Sequence, residues 1–511
     1  MTLKINNKII LYFIPFLIGL IISFSLPPYN YLIINFILFP IIFIFFVANY
    51  NRDKWRSLKI GWLFGFGYFV SSIYWITNSL TFDDQFKNLI PFAFVIIPIF
   101  LGLFYGFITF FCSFFNLKNN FSSILIFATI FSSIEFVRSF ILGGFPWNLS
   151  VYSWTNYLNF LQILPFIGTY SFNLLSITVF LIPSVFFSKY NTKLKLLTVF
   201  CLIFLISINY FYGSVVIKNY NQTDYKKTSS IIKIVSPRIE IDRFFNNEDP
   251  SEMITELIEL SNPNFEKETI FIFPEGVLTS IYLEDLKNYK KIFSDNYSSK
   301  HKIILGISSI ENSKIFNSLV VIDKNANILS QYNKNNLVPF GEFLPFENFL
   351  SNFGIKKITA GYQSFSEGIN RQVLNINNIK FLPLICYEII YSGRLNKNHE
   401  HFDFIINISE DGWFGDSIGP HQHFSHSIFR AIEEGKNLIR SANNGTAAFI
   451  DPTGQIVDSI ESTQKGVIEL NQFRGNIKTI FSSLGNKLFF YFISFYIILI
   501  FFLNKIRIKG S

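Results

Sequence analysis

Thiols, histidine and charge are scarce in this chain. Its three cysteines, Cys112, Cys201 and Cys386, are spread over 511 residues, too few and too scattered for a disulfide framework or a zinc site. Any chemical role for one of them is the role of a thiol. Three of the six histidines, His421, His423 and His426, sit in HQHFSH. No carboxylate or thiol cluster accompanies them, and their spacing reads as a helix start rather than a metal site. Charged residues make up 15% of the sequence, which excludes a disordered chain. With 65 phenylalanines and a mean hydropathy of +0.35, a purely soluble chain is excluded too. No internal repeat is evident.

What is abundant is apolar length. A membrane-crossing helix takes about 20 mainly apolar residues, because the hydrocarbon core is about 30 Å thick and each residue rises about 1.5 Å. Seven stretches meet that test before residue 213, near 9–26, 31–48, 60–79, 89–111, 122–141, 160–187 and 194–212, and an eighth lies at 488–504. The first follows Lys4 and Lys8 as a signal peptide would, but SLPPYN comes next in place of a small-residue cleavage site, so it reads as a retained anchor.

The net charge of +8 would suggest a nucleic-acid partner in a soluble protein; here its location matters more. With the N-terminus inside, the inward segments carry thirteen bases, among them Lys8, Lys54, Arg56, Lys59, Arg52, Lys118, Lys193 and Lys505, against one acid, Asp53. The loop LTFDDQFK at 80–87 has two acids and one base. Bases retained inside place both termini in the cytoplasm and the long segment after the seventh span outside. The inward excess exceeds the whole net charge, so the rest of the chain offers nothing basic to nucleic acid. Within the fifth span, Glu135 and Arg138 lie on one helical face, read as an internal ion pair or as the lining of a lipid or product pathway. GGFPWNLS, beginning at Gly143, is too rich in Gly and Pro to continue a helix and reads as a re-entrant or interfacial loop.

The expected organisation is a membrane domain over 1–212, an extracytoplasmic domain over 213–480 entered through the polar linker KNYNQTDYKKTSS, and a final span with tail over 481–511. In the middle region short β-rich runs (231–235, 269–273, 302–307, 318–322, 381–386, 402–408, 447–451) alternate with helical candidates at 251–261 and 423–439. That is an α/β pattern with buried strands. Three strand ends carry chemistry: Glu275 after TIFIF, Lys334 and Glu342 in YNKNNLVPFGE, and Cys386 with Tyr387 and Glu388 after FLPLI. A thiol is nucleophilic as thiolate, an adjacent carboxylate can take its proton, and an ammonium stabilises both thiolate and tetrahedral oxyanion.

The strings FPEG, YNKNNLVPFGEFLPFE, LICYE, DGWFGDSIGPHQHF and RSANNG resemble the nitrilase superfamily with its Glu-Lys-Cys triad. Set among eight spans, and with GGFPW in the membrane part, the chain resembles that superfamily's membrane-bound apolipoprotein N-acyltransferase family over essentially its whole length. The resemblance implies eight transmembrane helices plus an α/β nitrilase-like α-β-β-α sandwich. It implies Glu275 as general base, Lys334 as triad lysine, Cys386 as nucleophile and Glu342 as support for the lysine. It further implies an oxyanion hole from the Tyr387 amide beside Lys334, and places Glu388 and Trp413 near the site as supporting or substrate-positioning residues. Two departures stand out: VSPRIEIDRFF replaces a Gln- and Asn-bearing string, and Glu410 stands where Asn is usual.

As activity, the resemblance implies ping-pong acyl transfer without metal or organic cofactor. The sn-1 chain of a phospholipid, phosphatidylethanolamine by expectation, passes through a Cys386 thioester to the α-amine of a diacylglyceryl apolipoprotein. The implied setting is the bacterial inner membrane, with a periplasmic catalytic domain and a monomeric chain. Moving an acyl chain through water costs about 0.8 kcal/mol per exposed CH₂, so a membrane-mounted site suits such substrates. Phe340, Phe343 and Phe346 read first as packing, with lipid contact as the functional alternative. Arg440, Asn443 and Asn444 read as a strand-flanking turn. Two other function classes remain open: a membrane-tethered nitrilase-type amidohydrolase in which water resolves the thioester, and a transporter or scaffold, for which repeats or several intramembrane charges would be expected.

Overall fold

Apolar runs bury backbone polarity by closing it into helices, and the computed structural model follows that rule at both ends of the chain. It describes residues 7–49, 53–246, 248–345, 347, 357, 364–396 and 398–509; Lys4, Arg52 and Phe346, named above, lie outside them. The chain divides into two compact units: Met1–Thr77, Asn88–Ile217 and Leu484–Ser511 form one, Asn78–Lys87 and Lys218–Ser483 the other.

In the first unit, seven helical segments among the described residues are long and apolar enough to cross a membrane, from Lys8–Ser25 to Lys487–Lys505. Ile33–Asn49 is also an apolar helix but has 17 residues, short of the length expected of the second span. Helices Lys54–Ile73 and Ile90–Cys112 approach closely through small residues. A Cβ on Gly65 would lie 2.6 Å from Tyr105 Cβ, and one on Gly61 would lie 2.1 Å from Thr109 Oγ1. Glu135 is buried; it accepts from Tyr105 OH at 3.0 Å and from Asn173 Nδ2 at 2.5 Å, while Arg138 Nη2 stands 3.9 Å away. The carboxylate thus joins three helices chiefly through neutral donors. Arg138 also donates to Phe145 O in the GGFPW loop, whose Trp147 packs on Trp75 with ring centroids 4.8 Å apart.

The second unit is built on two sheets. Strands β1 (Tyr225–Ser236), β2 (Thr269–Ile272), β3 (Leu278–Tyr282), β4 (His301–Glu311), β5 (Lys314–Ile322) and β6 (Ile328–Asn333) join β13 (Gly466–Arg474) in the order β13-β1-β2-β4-β5-β6, with β3 beside β4. The other sheet runs β12-β11-β10-β9-β8-β7, from Ile456–Ile460, Ala447–Ile450, Asn437–Asn443, Phe404–Glu410, Ile379–Ile385 and Leu374–Ile376. Parallel pairs β1/β2, β2/β4, β8/β9 and β9/β10 form their middles. The sheets face each other: Ser441 Oγ on β10 donates to Val235 O at 2.8 Å and Ile272 O at 3.1 Å. Helix Pro250–Ser261, capped by Asp249 and ended by left-handed Asn262, lays Met253, Ile254, Leu257 and Ile258 on Phe271, Ile303 and Val320. Burying one such side chain contributes about 1.5–3 kcal/mol. Helix Gly419–Glu434 packs against β10 and β11 of the other sheet. The result is the expected α-β-β-α sandwich.

Local expectations needed correction in two places. The 423–439 helix ends at Glu434, because Gly435 adopts φ +62 and a Cβ there would lie 2.1 Å from Ile477 O; NLI and RSAN beyond it are strand β10, not helix and turn. The polar entry is not a linker: helix Thr192–Asn221 runs into it and β1 starts at Tyr225, pairing antiparallel with β13. Polar composition hid a strand whose first residues are solvent-exposed.

Candidate active site

Each candidate catalytic residue follows a strand, where the backbone leaves the sheet and a side chain can turn toward its edge. Glu275 follows β2 between Pro274 and Gly276, the latter at φ +58. Gly306 on β4 lets this turn cross it, since a Cβ there would sit 2.6 Å from Glu275 Cα. Glu275 is buried, its side chain 11% exposed. Its Oε1 accepts from Asn317 Nδ2 at 2.7 Å and Lys334 Nζ at 3.4 Å, and its Oε2 from the Glu410 backbone N–H at 2.9 Å.

Lys334 follows β6 and is 1% exposed. Its Nζ donates to Glu342 Oε1 at 3.0 Å as well as to Glu275. Glu342 is itself oriented by Asn317 Nδ2 at 2.7 Å and by the Val338 N–H at 2.8 Å. Asn317, on β5, therefore bridges both carboxylates, and its carbonyl accepts from the Lys334 N–H at 2.9 Å. Burial disfavours the ammonium, but Glu342, Glu275 and Cys386 outweigh it and raise the pKa, so Lys334 stays charged.

Cys386 follows β8 at φ +50, a left-handed conformation that a non-glycine residue holds only when its surroundings impose it. It opens the turn Cys386–Ile390 and is 8% exposed. Burial pushes its thiol well up, the Glu275 charge adds to this and Lys334 opposes it. The resting sulfur is thus protonated and needs a base. His423, itself in contact with Asp411, meets the turn at the Cys386 carbonyl. His423 Nε2 lies 3.2 Å from Cys386 O, and its Nδ1 lies 2.8 Å from Asp411 Oδ1. Asp411 also accepts from Arg440 Nη2 and Ser409 Oγ, both at 2.7 Å. Burial would raise the Asp411 pKa, yet Arg440 and His423 hold it below the carboxylate range, and burial lowers that of His423.

Glu388 is fully buried. Its Oε1 accepts from Arg371 Nη2 at 2.5 Å, Tyr332 OH at 2.7 Å and the N–H groups of Asn335 and Asn336 at 3.0 and 3.1 Å, and its Oε2 from Ile385 N–H at 2.9 Å. It ties the loop after Lys334 to the turn carrying Cys386. Tyr387, next to the nucleophile, is buried with its ring 5.6 Å from that of Tyr391. Trp413 joins an aromatic group with Phe244, Phe245 and Phe82, at 5.1, 6.2 and 5.9 Å. Phe340 is exposed and Phe343 half-buried.

Sequence reading missed Asn317, Arg371 and the buried network of Asp411, His423 and Arg440. Asn317 had a signal, as the amide interrupting the apolar run of β5. The two departures noted above prove to be one contact: Arg243 of VSPRIEIDRFF and Glu410 form a buried ion pair.

A sandwich of this kind with a cysteine, lysine and carboxylate gathered at its strand ends defines a nitrilase-type domain. The match to the carbon-nitrogen hydrolase family over residues 269–471 and to the apolipoprotein N-acyltransferase N-terminal domain over 18–182 agrees with that. An apolipoprotein N-acyltransferase of Rickettsia prowazekii is 33% identical over 88% of this chain and 90% of its own length, and one of Brucella melitensis 30% identical over 89% and 88%. A CN-hydrolase superfamily protein from Xanthomonas campestris aligns over 47% of this chain and 89% of its own, with 16% identity and a TM-score of 0.33. The chain belongs to the apolipoprotein N-acyltransferase family.

Proposed function

We propose that this chain N-acylates the N-terminal S-diacylglyceryl cysteine of apolipoproteins, taking the sn-1 acyl chain of a membrane phospholipid through a thioester on Cys386. The observation that carries the reading is the gathering of Glu275, Lys334, Glu342 and a positive-φ Cys386 at the strand ends of a chain from this family. Glu275 takes the Cys386 proton, and the thiolate attacks the ester carbonyl. The oxyanion rests against the Lys334 ammonium and the Tyr387 amide. The C–O bond breaks, Glu275 returns its proton to the departing lysophospholipid, and the acyl group remains on sulfur. The acceptor α-amine then attacks the thioester, gives a proton to Glu275, and the thiol is restored as the amide forms. Lys334 keeps its charge through both halves because the Glu342 carboxylate stays beside it while Glu275 carries the proton.

In this reading phosphatidylethanolamine is the donor and the chain acts as a monomer in the bacterial inner membrane. Both termini are cytoplasmic, and residues 213–480 lie in the periplasm between membrane parts 1–212 and 481–511. Support for that orientation comes from the one-sided basic loops.

The test incubates the full chain in detergent with phospholipid labelled in its sn-1 chain and looks for a hydroxylamine-sensitive label on Cys386. A Cys386→Ala variant should carry none; if it labels as the unchanged chain does, the mechanism fails. Passage of the label to a diacylglyceryl peptide is expected, whereas release as free fatty acid would make the protein a hydrolase.

A further inference from the structure

Glu275 has two oxygens with different duties. Oε1 faces the amide and ammonium of Asn317 and Lys334, while Oε2 is held by the backbone N–H of Glu410 at the end of β9. The position of that N–H is set by an unusually constrained side chain. The Glu410 carboxylate is buried and accepts from Arg243 Nη2, Asn443 Nδ2 at 2.7 Å, Gly412 N–H at 2.8 Å and Asn444 Nδ2 at 3.2 Å. It is seated so tightly that a Cβ on Gly412 would lie 2.7 Å from its Oε1.

Arg243 holds the other side. Its Nε donates to Gly276 O at 3.1 Å, and its Nη1 donates to Ile239 O at 2.9 Å and Glu240 O at 3.3 Å. One guanidinium therefore ties the residue that follows Glu275 to the residue whose N–H holds the Glu275 carboxylate. We propose that Arg243 and Glu410 are positioning residues that clamp Glu275 in the geometry it needs as general base. The inference rests on the acyl-transfer reading above. The planar fork matters as well as the charge, because a lysine ammonium cannot reach both Gly276 O and the Glu410 carboxylate in that geometry.

The experiment measures the single-turnover rate of Cys386 labelling by sn-1-labelled phospholipid, its half-saturation and the Tm, on the full chain in detergent. Arg243→Lys keeps the charge balance and breaks the fork. The double variant Arg243→Gln/Glu410→Gln removes both charges together, so no lone charge is left buried. For each variant the expected result is a rate lowered about 10- to 100-fold at saturating lipid, half-saturation within about two-fold of the unchanged chain, and a Tm near its value. A merely structural pair would show the rate following the Tm, with full recovery in the double variant. Labelling at the unchanged rate in either folded variant, or a loss confined to half-saturation, overturns the clamp alone. Absence of label from the unchanged chain overturns the acyl-transfer reading and the clamp with it.

Discussion

In the membrane-helix unit Glu135 is buried among neutral donors, Tyr105 and Asn173, with the nearest cation 3.9 Å away. In the catalytic unit Glu275 and Glu342 share one lysine at 3.4 and 3.0 Å, and a thiol lies close enough to feel both signs of charge. The first arrangement leaves nothing to react; hydrogen bonds join three helices and consume the carboxylate. The second keeps carboxylates, an ammonium and a thiol in one buried place, where electrostatic effects are strong. Buried charge alone therefore does not mark a reactive site. The proposed mechanism asks in addition for a thiol at a strained strand end beside it.

The sharpest break of this comparison is Lys334→Met. It should lower Cys386 acylation about 10²- to 10³-fold by removing an oxyanion donor, and also lower stability by about 3–5 kcal/mol by leaving two buried carboxylates without their cation. Labelling kinetics and thermal unfolding in detergent check both. Glu388→Gln comes next. Arg371 would lose its buried partner, at a cost of about 3–5 kcal/mol, and acylation should fall because the Lys334 loop and the Cys386 turn are no longer stitched together. Glu135→Leu leaves Tyr105 and Asn173 unsatisfied and should cost about 1–3 kcal/mol in Tm measurements, with the labelling rate per folded molecule unchanged. If that rate falls tenfold, the contrast between the two units fails.

The smallest effect is one of pH. Because the Asp411 pKa is depressed in the folded chain below its ordinary 3.8, its contribution to stability is complete above that value and is lost as pH falls below it. Stability should fall as pH drops below about 3.8 and keep falling toward the depressed folded value, by at most about 1.4 kcal/mol per pH unit for this one group. Asp411→Asn, measured over the same range, should flatten that slope even though it lowers Tm at neutral pH. An unchanged slope would show that other carboxylates carry the acid limb.

Much of the fold was legible because its signals are local. Apolar length marks the helices, although Ile33–Asn49 is shorter than its run suggested. Buried central strands such as β2, β4 and β9 stand out as apolar runs, whereas β12 and the start of β1 do not, being solvent-exposed. Strand β10 was concealed because Asn437–Asn443 buries polar side chains on both of its faces, and Arg440 and Asn443 take part in networks rather than a turn. The positions of Glu275, Lys334 and Cys386 were readable from their motifs. Asn317 was marked only as an amide interrupting an apolar run, because such a residue acquires its meaning from what faces it.

By itself the sequence determined the class of the molecule: the apolar segments, the uneven distribution of base and acid, and the residues able to do thiol acyl chemistry. These depend on composition and short-range order. Only the tertiary structure decided that Asn317 and Lys334 would each touch both Glu275 and Glu342, that Glu388 would serve as a brace, and that Arg243 and Glu410 would meet. Those pairings join residues far apart in the chain, up to 167 positions for Arg243 and Glu410. Hydrogen bonds and buried ion pairs depend on distances of a few ångströms, which strand order and packing set and residue spacing along the chain does not.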